Sequence, residues 1–345
     1  MKQTLIAITA FAALSIAQVQ TLGQAFANAG EYLDFLNKQS EPVTKDMWDY
    51  TSSVARSKGA RKIENKRKDV VEQIAAAKKN VGARPSYKGQ DYIKDAFINY
   101  LTLNRDILND DYEKIVNMEE VAEQSYDLME AYMMVQDQVN EKMHQTGDSL
   151  HAEVVKFAAE NGITLTEGQS KTSEKLKRAA LAFDYHDPLY LIFFKAFIQE
   201  TNFLNALAIK DLAAADQAKS ALLEAAEEGL EKLKAIKAFE SDGSLKLATM
   251  DILKFYKKEA TVDFASVLDF YTKQDTFNRV DEAMKKKKKS EMTKADTDEF
   301  NKAVNEYNAA VKAYNTTNSD LNTERGKQLN NWNKAKEDFL QKHAA

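Results

Sequence analysis

An all-α fold is predicted for this chain, a tandem duplication of a four-helix, up-and-down bundle-like unit with long helices. Composition is the first observation behind that reading. Three prolines and eleven glycines are spread over 345 residues, and Ala, Lys, Glu, Leu, Asp and Asn are abundant with hardly any Val/Ile/Thr alternation, a usage that favours helix over strand. Internal echoes are the second observation. Asp251-Ile-Leu-Lys-Phe-Tyr256 echoes Asp95-Ala-Phe-Ile-Asn-Tyr100 at an offset of 156 residues, and Tyr190-Leu-Ile-Phe-Phe194 echoes Tyr32-Leu-Asp-Phe-Leu36 at an offset of 158. Two independent matches therefore share nearly one register, and a repeat of this kind decides the whole architecture. A looser third match sets Ser319-Asp-Leu321 and Glu324 against Asp148-Ser-Leu150 and Glu153 at an offset of 171. The larger offset implies roughly fifteen extra residues in the second half, as an insertion into an exposed loop would give.

The first 27 residues stand apart. Lys2 precedes an apolar run from Leu5 to Val19 broken only by Thr9, Ser15 and Gln18, and Ala25-Phe-Ala27 follows as a small-x-small cleavage site. That order reads as a secretory signal peptide, residues 1–27. An anchoring helix is the alternative, but the run is too short and interrupted to cross about 30 Å of hydrocarbon. Beyond it no stretch reaches the roughly 20 apolar residues of a membrane span, the nearest being Leu189 to Ile198, so no stable transmembrane span is expected. Cysteine is absent, which removes both disulfides and an acylated cysteine. The net charge of −5 gives no global attraction to nucleic acid or anionic lipid, so no nucleic-acid partner is expected.

Apolar spacing then places the elements. A stripe of Leu33, Leu36, Met47, Trp48 and Val54 predicts a helix from Tyr32 to Ala55, kinked or restarted at Pro42 with Ser40 as a cap. A basic-flanked helix follows from Gly59 to Asn80 and ends in Val81-Gly-Ala-Arg-Pro85. The echo helix from Gln90 carries Ile93, Phe97, Tyr100 and Leu101 on a wide apolar face. A long helix is predicted from Tyr112 to Asn161, loosened at Gly147, and residues 28–168 make up the first unit. Residues 169–187 form a connector helix and turn, with Asp187-Pro188 as an N-terminal signature for the next helix. The second unit, 188–345, opens with the most apolar helix, Leu189 to Leu207, which should be the most deeply buried. Helices at Asp211 to Phe239 and Leu245 to Glu259 follow, the latter continuing toward Phe277. The last helix, Ala295 to His343, spaces Phe300, Val304, Tyr307, Val311 and Tyr314 in steps of four and three, a seam for another helix.

Candidate chemistry is sparse. Glu141-Lys-Met-His144 has the Glu-x-x-His spacing of carboxylate-bridged iron sites in helical bundles, and Asp148 and His151 continue that face, so Glu141, His144, Asp148 and His151 are the candidate metal ligands. The second half sets Asn315 and Asn322 opposite the two histidines, and the unpaired motif equally fits a solvated polar face. His186 and His343 read as surface or capping residues. The chain lacks a Gly-x-Ser-x-Gly elbow and a glycine-rich phosphate loop. Carboxylate pairs such as Asp110-Asp111, Glu119-Glu120 and Glu227-Glu228 fit solvated helix faces. No enzyme and no cofactor are expected. The inserted run Lys285, Lys286, Lys287, Lys288 and Lys289 is a candidate contact for polyanion or lipid, against its reading as a solvated turn or helix end.

With the export segment, the duplicated Tyr-x-x-Phe helices and the closing Leu329-Asn-Asn-Trp-Asn-Lys-Ala-Lys-Glu-Asp-Phe-Leu340 stretch, the chain resembles a family of exported helical surface proteins first named from Leptospira and found also in Bacteroidetes. The resemblance is one of pattern over most of the chain after residue 27. It implies an exported, bacterial cell-envelope helical protein, periplasmic or at the cell surface, and carries over no catalytic residues. Three functions are therefore weighed. The first is a non-enzymatic scaffold or interaction surface for another envelope macromolecule. The second is a periplasmic metal or small-ligand binding protein, and the third a helical pore-forming or membrane-remodelling protein, with Leu189 to Ile198 as the only apolar segment that could leave its core.

Overall fold

The computed structural model describes residues 26–56, 58–111, 118, 121–165 and 170–345. All of the expected signal peptide except Phe26 and Ala27 lies outside the described residues, as do Glu119, Glu120 and Gly168. Phe26 itself is buried, its ring 4.8 Å from that of Tyr32. The fold is all-α, and among the described residues extended pairing is limited to an isolated bridge between Phe239 and Asp242.

Helix α1 (Ala29–Ala55) begins where the Asn28 side chain accepts the Glu31 N–H at 2.9 Å, satisfying a donor left open in the first turn. It runs unbroken through Pro42. Ser40, expected to cap a restart, instead donates its hydroxyl to the Leu36 carbonyl, and Thr44 donates to Ser40, so side chains tie together the turns that flank the proline. Helix α2 (Ala60–Gly82), α3 (Asp91–Asp106) and a five-residue π-turn (Ile107–Asp111) follow. Helix α4 spans Tyr126–Glu160. The start expected at Tyr112 lies outside the described residues; residues 118, 121 and 122 are helical, and α4 begins anew at Tyr126, where Ser125 adopts an extended conformation and accepts the Leu128 N–H at 3.3 Å. Gly147 is buried within it and leaves it continuous, and Gly162, at φ +65°, closes it in a conformation only glycine adopts easily.

Helix α5 (Lys171–Ala208) contains Pro188 rather than starting at it. Asp187 does not cap a new helix; its carboxylate meets the His186 ring at 2.8 Å. Helix α6 (Leu212–Ala235) is capped by Asp211, and α7 (Ser244–Lys258) passes through a second π-turn (Glu259–Asp263) into α8 (Phe264–Lys286). Helix α9 (Lys294–Ala344) completes the chain.

The chain divides into two compact units, one reaching to Asp187 and including Glu337–Ala345, the other spanning Pro188–Lys336. The connector and the last nine residues thus group with the first unit, and both divisions fall inside a helix. In the first unit α1 packs on α2, α2 on α3 and α3 on α4, around Tyr32, Leu33, Phe97 and Phe157, each almost fully buried. In the second, α6 packs on α7, and the π-turn meets α6, α7 and α8. Leu189, Phe194 and Phe203 of α5 are deeply buried, as the sequence predicts for that segment. Trp332 of α9 stacks on Phe193 with ring centroids 3.7 Å apart and donates its indole N–H to Thr249. A Cβ on Gly229 of α6 would come within 2.9 Å of both Ile192 and Leu253, so glycine is what lets these three helices close up. The seam predicted in the last helix packs along α8, where Tyr307 lies parallel to Phe277 at 5.1 Å and Tyr314 stacks on Phe270 at 4.4 Å.

Candidate functional site

The four candidate metal ligands lie along the exposed side of α4. Glu141, His144, Asp148 and His151 all face solvent, and Glu141 accepts from Gln145. Among the described residues no group of three or more His, Cys, Asp or Glu side chains is placed to hold a metal ion. Both remaining histidines depart from the sequence expectation. His186 is buried against Phe183 and Asp187, and His343 is buried beside Phe339 with Nδ1 3.0 Å from the Arg178 guanidinium. The Asp187-Pro188 step beside His186 and the chain end beside His343 suggest surface or capping positions, but the helix phase turns both rings inward.

The lysine run joins α8 to α9. Lys285 pairs with Asp281 and Lys287 with Asp296, each at 2.6 Å, while the Lys288 N–H donates to Glu291. Lys287 and Thr293 hold the Asp296 carboxyl down to about 2. All five lysines are exposed, and their positive charge at the C-terminal end of α8 is where a helix favours it.

Two clefts of similar size open in corresponding places. The first unit has one of about 720 Å³ between α3 with its π-turn and α4, lined on the α4 side by Lys142 and by Gln145, Thr146, Ser149, Leu150 and Glu153. The second has one of about 750 Å³ between α7 with its π-turn and α9, lined on the α9 side by Thr316, Thr317, Asp320, Leu321 and Glu324 among others. In the offset of 171 the five residues from Gln145 to Glu153 fall on the five from Thr316 to Glu324. Both clefts mix hydroxyls, amides and carboxylates with an apolar floor, Leu150 in one and Leu321 in the other, both buried.

Beneath the second unit's surface lies a group that sequence reasoning missed. Arg325 of α9 donates Nε–H to Glu200 of α5 and Nη2–H to Glu259, the first residue of the π-turn. Glu259 is 0% exposed and Glu200 2%. The second carboxyl oxygen of Glu259 is buried without a hydrogen-bond partner, and the buried Tyr256 hydroxyl lies beside the pair. Burial, then the charge of Glu200, push the Glu259 carboxyl up to about 9; burial also raises Glu200 against the pull of Arg325. One guanidinium thus faces one carboxylate and one neutral acid, a composition that avoids an uncompensated buried charge. A signal was present in the sequence. Glu259 continues the inward spacing Ile252, Tyr256, Glu259; Arg325 follows Leu321 by four; and Glu200 sits between Ala196 and Phe203. A charged residue on an apolar stripe calls for a buried partner.

Comparison with known protein families, with curated proteins and with solved structures finds no match.

Proposed function

We propose that the chain is an exported, non-enzymatic cell-envelope protein that serves as a scaffold or interaction surface, with its two clefts holding another envelope macromolecule. The observation that carries this reading is the recurrence of one cleft on the same five helix positions in both units. Two similar clefts on one chain suit a bivalent contact, which raises avidity when both can engage together. The envelope assignment rests on the export-like first segment and on the family resemblance, and the recurrence is what a duplicated helical module would leave. A second reading, a small-ligand binding protein, is favoured by cleft volumes that fall within the range of about 300–1,000 Å³ used by small-molecule sites. The pore-forming reading has less support. Leu189 to Ile198 is built into the second unit's core, and among the described residues no helix is long and apolar enough to cross a membrane.

Site-specific photo-crosslinking tests the proposal. A photoreactive residue placed at Ser149 or Asp320, in producing cells, is expected to give a discrete macromolecular adduct that the exposed control positions Glu72 and Glu231 do not give. Adducts equal at all four positions, or absent from both clefts, would refute it; retention of a small molecule with the purified protein would favour the second reading instead.

A further inference from the structure

The Glu200–Glu259–Arg325 group stands at a π-turn, a helix irregularity often found at functional sites. Ile107 opens the first unit's π-turn, Leu103 lies opposite Glu259 in the offset of 156, and Val154 lies opposite Arg325 in the offset of 171, all three apolar. The charged group is therefore peculiar to the second unit.

We propose that Glu200 and Glu259 share a proton that acts as a latch: while it is bound, the π-turn Glu259–Asp263 stays closed on Arg325, and its loss at alkaline pH releases the turn. The inference concerns the fold of the second unit and does not depend on what the clefts hold. The surroundings of the pair leave little else to answer a second negative charge. From α9 comes Arg325, already donating to both carboxyls. From α7 comes the Tyr256 hydroxyl, which is itself pushed up by burial and by the two glutamates. Within the turn, Asp263 is taken by Lys258 at 3.1 Å. Helix α6 packs on the turn, but its Glu227 is held by Lys257 and its Glu228 by Lys195 and Lys232. Helix α8 contributes the Phe264 ring, 6.0 Å from the Arg325 guanidinium and stacked on Phe203. With the proton gone, two carboxylates would share one guanidinium in a site closed to water, with one oxygen still unpartnered. Moving Glu259 out to solvent relieves that repulsion, and a π-turn, whose hydrogen bonds are already irregular, is the place where the helix yields most easily.

Hydrogen exchange read by mass spectrometry tests the latch, with the first unit's π-turn as internal control. Between about pH 7 and about pH 10, the protection factor of residues 259–263 in the full chain should fall by about tenfold or more while that of 107–111 holds. Glu259→Gln, a neutral mimic of the protonated acid, should keep 259–263 protected throughout. Glu200→Gln should do the same, because Glu259 can then ionise against Arg325 alone, so either variant suffices if the other fails to fold. Constant protection of 259–263 in the unmodified protein, equal loss in both turns, or loss undiminished in a folded Gln variant would overturn the proposal.

Discussion

The two units place the same kinds of helices around the same kind of cleft but fill the space beneath it differently. The first opens its π-turn with Ile107 and has Val154 opposite Arg325, while the second opens its π-turn with Glu259. An apolar filling is insensitive to pH and tolerant of exchange among similar side chains. The charged filling is held only while its members balance, since removing one partner leaves a buried charge with nothing to answer it. Two similar helical frameworks can therefore differ in what destabilises them.

The largest expected effect comes from breaking the second unit's apolar core outright. Phe194→Asp buries an uncompensated charge at a site 2% exposed. It should cost about 4 kcal/mol or more and unfold the second unit under native conditions, read as loss of the buried Trp332 fluorescence signal. A folded variant with an unchanged Trp332 environment would contradict the burial assignment.

Next in size is Arg325→Met, expected to cost about 3–5 kcal/mol by leaving both glutamates without their donor. Replacing the whole group, with Glu200→Met and Glu259→Ile added to Arg325→Met, makes the second unit resemble the first and should recover most of that loss. Recovery sharpens the comparison. A triple variant as unstable as Arg325→Met alone would show that the charges contribute something apolar packing cannot.

Much of this framework was legible in the sequence. Low proline and glycine content gave the all-α class, and the apolar run from Leu189 gave the segment that is deeply buried. The spacing of Phe300, Tyr307 and Tyr314 gave the seam against α8. Local rules misled where tertiary structure overrode them. Asp187-Pro188 has the form of a helix start, yet α5 runs through it with Asp187 turned to His186. Glu200, Glu259 and Arg325 lie on three helices distant in sequence, so their charges cancel only in the fold. Read one helix at a time, each looks like a lapse in an apolar stripe. Each cleft needs walls from two helices distant in sequence, α3 with α4 and α7 with α9, so no single stretch carries its pattern.

The smallest effect belongs to the lysine run. Lys287→Glu removes an exposed pair with Asp296 and should leave the melting temperature almost unchanged by calorimetry. A shift as large as that of Arg325→Met would mean that the joint between α8 and α9 is not the solvated turn described.

The difference between the units is tested most directly by the pH dependence of the second unit's stability. The folded value for Glu259, about 9, lies above the unfolded carboxyl value of about 4.3. Between these the unfolded chain has released a proton that the folded unit still holds, so stability from this group is full at acid pH and declines as pH rises toward the folded value. In Trp48→Phe, which leaves Trp332 as the only tryptophan, urea unfolding followed by fluorescence should show a lower midpoint at about pH 8.5 than at about pH 5.5. Adding Glu259→Gln should remove most of that difference. A midpoint that stays the same at both pH values, or a drop that survives intact in the Gln variant, would contradict the account.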